Sequence, residues 1–336
     1  MEFMTDGRAE VRITHADVGK RVSVRRRTDD SAGQWAFTDA VGVLTSWTEG
    51  VLIITRRNGE QVRIGEELLV AAKVVPQTPA RRRGPAADVR ELTEVAARGW
   101  PAVGTERLGG WTLRASGGFT RRANSVLPLG DPGVPLDEAL AHTVRWYTER
   151  GLPPVVAVTT GRPDADEELA DALERRGWTA SGHTLVRTGA LAPLADTGAD
   201  LTRVRLTREP DAAWLARYHR AAGPVPEARA VLTGGPSVWF ATVEGADGGA
   251  EAIGRCVVDG RWAGFAAVEV APGARRRGLA RLVMAALAAR ALDEGASAAY
   301  LQVEADNAAA LALYDGLGFT DHHGYHYRTA PAAVAP

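Results

Sequence analysis

Cysteine is almost absent from this chain: one residue, Cys256, in 336. A lone thiol has no partner, so an intramolecular disulfide framework is excluded. Neither Cys256 nor the seven histidines show metal-ligand spacing, and His322-His323-x-x-His326 is not a helical zinc motif, so it reads as surface or strand edge. Lysine is nearly missing as well; Lys20 and Lys73 stand alone, and 38 of the 40 basic residues are arginine. In so arginine-rich a chain a single arginine means little until its spacing adds something. Neither sign of charge is in excess: 40 basic residues face 41 acidic ones, for a formal charge of −1, which removes any general polycation argument for nucleic-acid binding. Long apolar runs are also lacking. The first eight residues hold no secretory hydrophobic stretch, and Leu282 to Leu292, preceded by Arg281 and interrupted by Arg290, is too short to span a bilayer. The expectation is a cytoplasmic protein with no membrane, nucleic-acid or metal partner.

What is present is ordinary globular material, 45% hydrophobic and 6% aromatic, long enough for two or three domains. The stretch 9–78 is rich in β-branched residues and turn signals. Arg21-Val22-Ser23-Val24-Arg25 alternates polar and apolar, Ala40–Leu44 and Val51–Ile54 are strand candidates, and Asn58-Gly59 marks a hairpin before Gln61-Val62-Arg63. Five short strands in so little chain predict a small barrel. A basic Pro/Gly-containing linker follows at 79–87, with Arg81-Arg82-Arg83 in it. Two α/β stretches come next, 88–192 and 200–330. Strand 124–128, helix 136–150, strand 155–159 and helix 164–176 in the first match strand 265–270, helix 278–294, strand 298–303 and helix 307–316 in the second. Gly177-Trp178-Thr179 echoes Gly318-Phe319-Thr320, and aligning them sets Arg187-Thr188 opposite Arg328-Thr329. A tandem repeat of one fold is expected.

The most informative segment is Val268-Glu269-Val270-Ala271-Pro272-Gly273-Ala274-Arg275-Arg276-Arg277-Gly278-Leu279-Ala280: a strand, a turn, then a helix start that is small and basic. Unpaired N–H groups at a helix start can cradle a phosphate, and Gly278 and Ala280 leave room for one to reach the main chain. No Gly-Lys-Ser/Thr follows, so this is not a P-loop, nor is it the three-glycine dinucleotide fingerprint. Downstream, Asp306-Asn307 is a helix N-cap candidate, and its helix carries Ala310, Leu313 and Tyr314 before Gly318-Phe319.

Here the sequence resembles the GCN5-related N-acetyltransferase superfamily. Arg275-x-x-Gly278-x-Ala280 matches its acyl-CoA loop, and Asn307 through Phe319 its second signature. The resemblance is specific over Phe265–Phe319. It implies a mixed α/β (α+β) fold in which a sheet splays open between two central strands, with acetyl-CoA as co-substrate in the gap. Carried over, the N–H groups of Arg276, Arg277, Gly278, Leu279 and Ala280 hold the pyrophosphate, with charge from Arg275. The main chain of Val268 and Val270 pairs with the pantetheine arm. Asn307 helps fix that arm or simply caps its helix, and Tyr314 protonates the leaving thiolate. The stretch 88–192 lacks this equipment. Its turn, Leu129 to Pro135, contains Asp131 and two prolines, and Leu173 stands where the echo places Tyr314. It is read as a degenerate copy of the catalytic 200–330 domain.

Acetyl transfer to an amine needs a base, for which Glu269, Glu304 and Asp306 are candidates, with Glu269 chosen. In Gly117–Ser125, Arg121, Arg122 and Asn124 are placed to bind an acceptor carboxylate. The whole layout is similar to actinobacterial members of the superfamily with an N-terminal Src-homology-3-like barrel, described as N-acetylglutamate synthases. That implies glutamate as acceptor and a place in amino-acid and arginine biosynthesis. The barrel, with Arg25-Arg26-Arg27 and no aromatic row, is expected to be structural or to support a homo-oligomer. The competing readings are an enzyme acting on a cationic small molecule or a protein N-terminus, and a non-catalytic CoA-sensing scaffold.

Overall fold

A computed structural model describes residues 11–29, 35–57, 59–75, 85–219, 226–246 and 248–332. Most of the expected linker at 79–87, including Arg81-Arg82-Arg83, and Asn58 of the expected hairpin lie outside the described residues.

Strands β1 (Arg21–Asp29), β2 (Trp35–Thr48), β3 (Val51–Thr55), β4 (Gln61–Gly65) and β5 (Leu69–Val74) form an antiparallel sheet in the order β4-β3-β2-β1-β5. Their alternation sends Val22, Val24, Leu44, Leu52, Ile54 and Ile64 to one buried face. Register shifts at Arg25/Arg26 and Leu44/Ser46 bend the strands. Among the described residues β4 and β5 do not pair. What stands where a closed barrel was expected is therefore a five-stranded antiparallel sheet.

The chain continues through α1 (Val89–Arg98), β6 (Gly104–Leu108), β7 (Trp111–Ala115), β8 (Leu127–Pro128), α2 (Leu136–Thr148), β9 (Val155–Thr160), α3 (Glu167–Arg175) and β10 (Thr179–Ala190). It then forms α4 (Ala192–Ala195), β11 (Arg205–Thr207), α5 (Ala212–Arg217), α6 (Pro226–Thr233), β12 (Ser237–Glu244), β13 (Ala250–Asp259) and β14 (Trp262–Val270). Last come α7 (Leu279–Asp293), β15 (Ala298–Glu304), α8 (Ala308–Asp315) and β16 (Thr320–Thr329). Strands β6, β7 and β8 make a three-stranded sheet, and an eight-stranded mixed sheet runs β11-β12-β13-β14-β15-β10-β16-β9. Helix α7 is apolar nearly all round because both sides are covered, one by β12, β13 and β14, the other by α4 and β2. This explains the apolar run Leu282–Leu292: among the described residues no helix is long and apolar enough to cross a membrane.

The series β8, α2, β9, α3, β10 is repeated as β14, α7, β15, α8, β16. The last strand of each series is exchanged: β10 lies between β15 and β16, and β16 lies between β10 and β9. Thr179 pairs with Thr329 and Thr188 with Thr320. Since Thr179 matches Thr320 in the sequence echo, and Thr188 matches Thr329, each strand meets its counterpart end for end, as a two-fold axis through the pair requires. The exchange corrects the reading of His322-His323-x-x-His326 as surface or edge. Strand β16 is interior, so His323 and His326 are buried, at 5% and 6% exposure. Burial pushes both imidazoles down to about 4, leaving them neutral. Cys256 is likewise buried, on β13, and burial pushes its thiol up to about 12.

Candidate active site

Strands β14 and β15 pair in parallel only from Trp262↔Ala298 to Phe265↔Leu301. Beyond that, β14 stays with β13 as far as Ala252↔Val270, and β15 stays with β10 as far as Thr184↔Glu304. Each strand follows its own neighbour and the sheet opens into a fork. A bulge on β14 marks the fork: Arg255 faces Ala266, Ile253 faces Glu269, and Ala267 takes a φ of 52°. A left-handed alanine is uncommon and is held there by its surroundings.

The fork encloses a cleft of about 200 Å³ that brings together Arg121, Arg122, Val268, Glu269, Asn307 and Tyr314. Glu304 lines it too; Asp306, Val270 and Asn124 do not. Tyr314 packs edge-on against Phe319 with centroids 5.9 Å apart, and burial pushes its phenol up to about 12. It is therefore protonated at neutral pH. Glu269 accepts the main-chain N–H of His219 at 3.2 Å and also bonds the His219 ring through Nδ1. His219 was not foreseen: nothing in its local sequence singles it out, and the fold alone carries it to Glu269. Asn307 acts as the N-cap of α8, its Oδ1 accepting from the N–H of Ala310 at 3.1 Å.

At the far end of β14 a single turn, Pro272–Ala274, leads into the basic loop. Arg276 and Gly278 both take left-handed backbone, at φ 64° and 78°. Among the described residues the N–H groups of Arg276, Arg277 and Gly278 donate to no acceptor, and those of Leu279, Ala280 and Arg281 are the first-turn donors of α7, which have no acceptor within the helix. Arg277 is paired with Glu251 at 2.7 Å, whereas the exposed Arg275 and Arg276 form no ion pair among the described residues. The result is six N–H groups and two unpaired guanidiniums around one helix start, a strong anion cradle.

On the opposite wall, Thr120 is held at φ 56° between the glycine pair Gly117-Gly118 and the turn Arg121–Ala123. Asn124 folds this loop rather than facing the cleft. Its Oδ1 accepts from the N–H groups of Ser116 (2.7 Å) and Gly118 (3.0 Å), and its Nδ2 donates to the carbonyls of Phe119 and Thr120, both at 2.8 Å. The loop presents Arg121 over Tyr327 at 4.9 Å and Arg122 over Trp100 at 5.0 Å. Arg122 has a buried Nε with no hydrogen-bond acceptor and no carboxylate partner among the described residues. Beneath Trp100, the buried Arg255 donates to the carbonyls of Leu232, Gly99 and Gly234 at 2.6–2.9 Å, fixing the floor of the cleft. Among the described residues no group of His, Cys, Asp and Glu side chains is arranged to hold a metal ion.

A splayed mixed sheet with a bulged strand, an anion cradle at the following helix and a protonated tyrosine in the fork together define a GCN5-related N-acetyltransferase. The comparisons agree. The family model described as "Probable histone acetyltransferase Rv0428c C-terminal" matches residues 86–328, and the chain belongs to that family. It is similar to the Probable histone acetyltransferase Rv0428c of Mycobacterium tuberculosis, 32% identical over 332 residues, 95% of this chain and 97% of that protein. Its fold is similar to a GCN5-related N-acetyltransferase from Kribbella flavida, with a TM-score of 0.52 and 17% identity, over 73% of this chain and 96% of that one. It is also similar in fold to a tandem GNAT protein from the clavulanic acid biosynthesis pathway, with a TM-score of 0.52 and 16% identity, over 76% of this chain and 91% of that one.

Proposed function

We propose that the protein moves the acetyl group of acetyl-CoA to a primary amine by direct attack, and that the acceptor carries a carboxylate close to that amine, as glutamate does. The observation that carries this reading is one cleft holding the Glu269 carboxylate, the Tyr314 phenol and the unpaired Arg122 guanidinium. The residues fit acetyl-CoA: the N–H groups from Arg276 to Ala280, with Arg275, would hold the pyrophosphate. The main chain of Val268 and Val270, released from β15, would pair with the pantetheine arm, and Asn307 fixes the start of α8 beside it. Acetyl-CoA supplies an activated thioester. Glu269, oriented by His219, takes the proton that the attacking ammonium must lose, directly or through water. Tyr314 holds its proton toward the leaving sulfur; with a pKa about 12 it donates a hydrogen bond there without ionising first. Arg122, helped by Arg121, fixes the acceptor carboxylate and so the approach of the amine.

In this reading 200–330 is the catalytic unit, 88–192 a degenerate copy that supplies the acceptor wall, and 9–78 an Src-homology-3-like module. A second reading has its own basis, because the M. tuberculosis relative is called a probable histone acetyltransferase: a lysine side chain of a protein as acceptor. Thiol release measured with glutamate, glutamine, amino-acid amides and a lysine-rich histone-tail peptide separates the two. Turnover with glutamate whose KM rises at least about tenfold in Arg122→Met, with the KM for acetyl-CoA unchanged, supports the first. Faster turnover of the peptide, indifferent to Arg122, establishes the second.

A further inference from the structure

A second cleft, of about 220 Å³, opens where β8 and β9 part. Val126, immediately before β8, makes a single parallel bridge to Val156 of β9, beyond which Leu127–Gly130 and Ala157 with Thr159 line the opening. It is the counterpart, in the first strand–helix series, of the fork between β14 and β15. The two clefts are contiguous, since Arg122, Gln302, Tyr325 and Tyr327 line both.

Most of the second cleft is apolar, but Arg114 stands in it at 5% exposure. Its Nε donates to the carbonyl of Ser125 at 2.9 Å and one Nη to the Ser125 hydroxyl at 3.0 Å; among the described residues no carboxylate reaches it. Arg122, which also lines this cleft, has none either, whereas the third guanidinium there, Arg90, is paired with Glu94 at 3.0 Å. Burial chiefly, and the charge of Arg122 as well, push the Arg114 guanidinium down from its ordinary value. The two carboxylates of the cleft are already engaged. Asp166 accepts from the Thr159 hydroxyl and N–H at 2.7 and 3.1 Å, and Asp164 from the Val89 N–H at 2.8 Å and Arg162 at 3.4 Å. Among the described residues neither Arg114 nor Arg122 has a carboxylate in ion-pair contact, two like charges left so are costly, and an anion of the right size between them relieves that cost. Helix α2, the counterpart of α7, offers no phosphate cradle: Pro135 is its N-cap, and Asp137 and Glu138 lie in its first turn.

We propose that this second cleft binds a small carboxylate with an apolar body, its carboxylate between Arg114 and Arg122 and its carbon skeleton against Leu92, Ala96, Leu127 and Val186. The carboxylate comes either from the far end of the acceptor, reaching through from the catalytic cleft, or from a separate small acid. The site itself does not depend on the acetyl-transfer reading. Calorimetric titration of the full chain with 3-phenylpropionate, 4-methylpentanoate and the amide of each tests it. The acids bind and their amides bind at least about tenfold more weakly. Arg114→Gln weakens the acids by a similar factor. Thr93→Trp does the same by filling the mouth while leaving both arginines in place, so the test survives if Arg114→Gln fails to fold. Competition with the acceptor in thiol release identifies the acceptor's own carboxylate; simultaneous binding identifies a separate ligand. Absence of acid binding, equal binding of acid and amide, or indifference to Thr93→Trp overturns the proposal. Thiol release without acid binding would overturn only this site, and acid binding without thiol release only the catalytic reading.

Discussion

Replacing Gly278 by alanine separates the stability of the fold from the binding of the co-substrate. Gly278 sits at φ 78° immediately before α7, where an L side chain costs about 1–2 kcal/mol. A Cβ added there meets no atom within 4 Å, so no packing penalty adds to this. Against a stability of about 5–15 kcal/mol the variant stays folded, with Tm lowered by roughly 1.5–3 °C. The new methyl, however, enters the open space at the helix start that the pyrophosphate would occupy. Holding a pyrophosphate away from one charge-assisted hydrogen bond there costs about 1.5–3 kcal/mol, which raises the KM for acetyl-CoA roughly 10- to 100-fold. Gly273→Ala is the control: its Cβ also meets nothing within 4 Å, its φ is not positive, and it lies in the preceding turn, so Tm and KM are expected to hold. Thiol release titrated with acetyl-CoA, beside thermal melting of both variants, reads the two effects apart. A Gly278→Ala enzyme with the lowered Tm but a KM within twofold of wild type would refute the placement of the cradle.

Glu269→Gln is expected to lower kcat about 100-fold or more while the KM for acetyl-CoA holds; unchanged turnover removes Glu269 as the base. Asn124→Ala forfeits four hydrogen bonds inside the 116–124 loop and is expected to lose about 3 kcal/mol in urea unfolding, a loss under about 1 kcal/mol contradicting its loop-folding role. His323 and His326, pushed from 6.5 to about 4, bind protons more readily in the unfolded chain. Stability is therefore full above about pH 6.5 and falls as pH drops toward 4, and a His323→Leu/His326→Leu double variant should show a shallower fall in Tm over that window than wild type.

The stretch from β14 to α8 was legible because its signals are local. Arg275-x-x-Gly278-x-Ala280 needs only a turn and a helix start, and the caps, strands and helices of 265–316 end within a few residues of where the sequence places them. The Gly-aromatic-Thr echo also marked the repeat. The exchange of β10 and β16 left no local trace, since it depends on strands far apart in sequence, and that is why two buried histidines were taken for an edge. His219 was invisible for the same reason. Arg121 and Arg122 do reach the cleft, but Asn124, which looks equivalent to them in sequence, turns inward because a loop with two left-handed glycines needs its amide to satisfy the main chain. The bulge at Ala267 could not be read from an alanine, whose sequence carries no mark of positive φ.

The central claim is acetyl transfer in the cleft between β14 and β15 with Tyr314 facing the leaving sulfur. Thiol release from acetyl-CoA, followed with and without glutamate for wild type and Tyr314→Phe, tests it most directly. The account predicts amine-dependent release by wild type, reduced roughly 100-fold in kcat by the loss of one hydroxyl, with acetyl-CoA binding intact. Equal turnover by the two proteins, or no release with any amine despite tight acetyl-CoA binding, would contradict it.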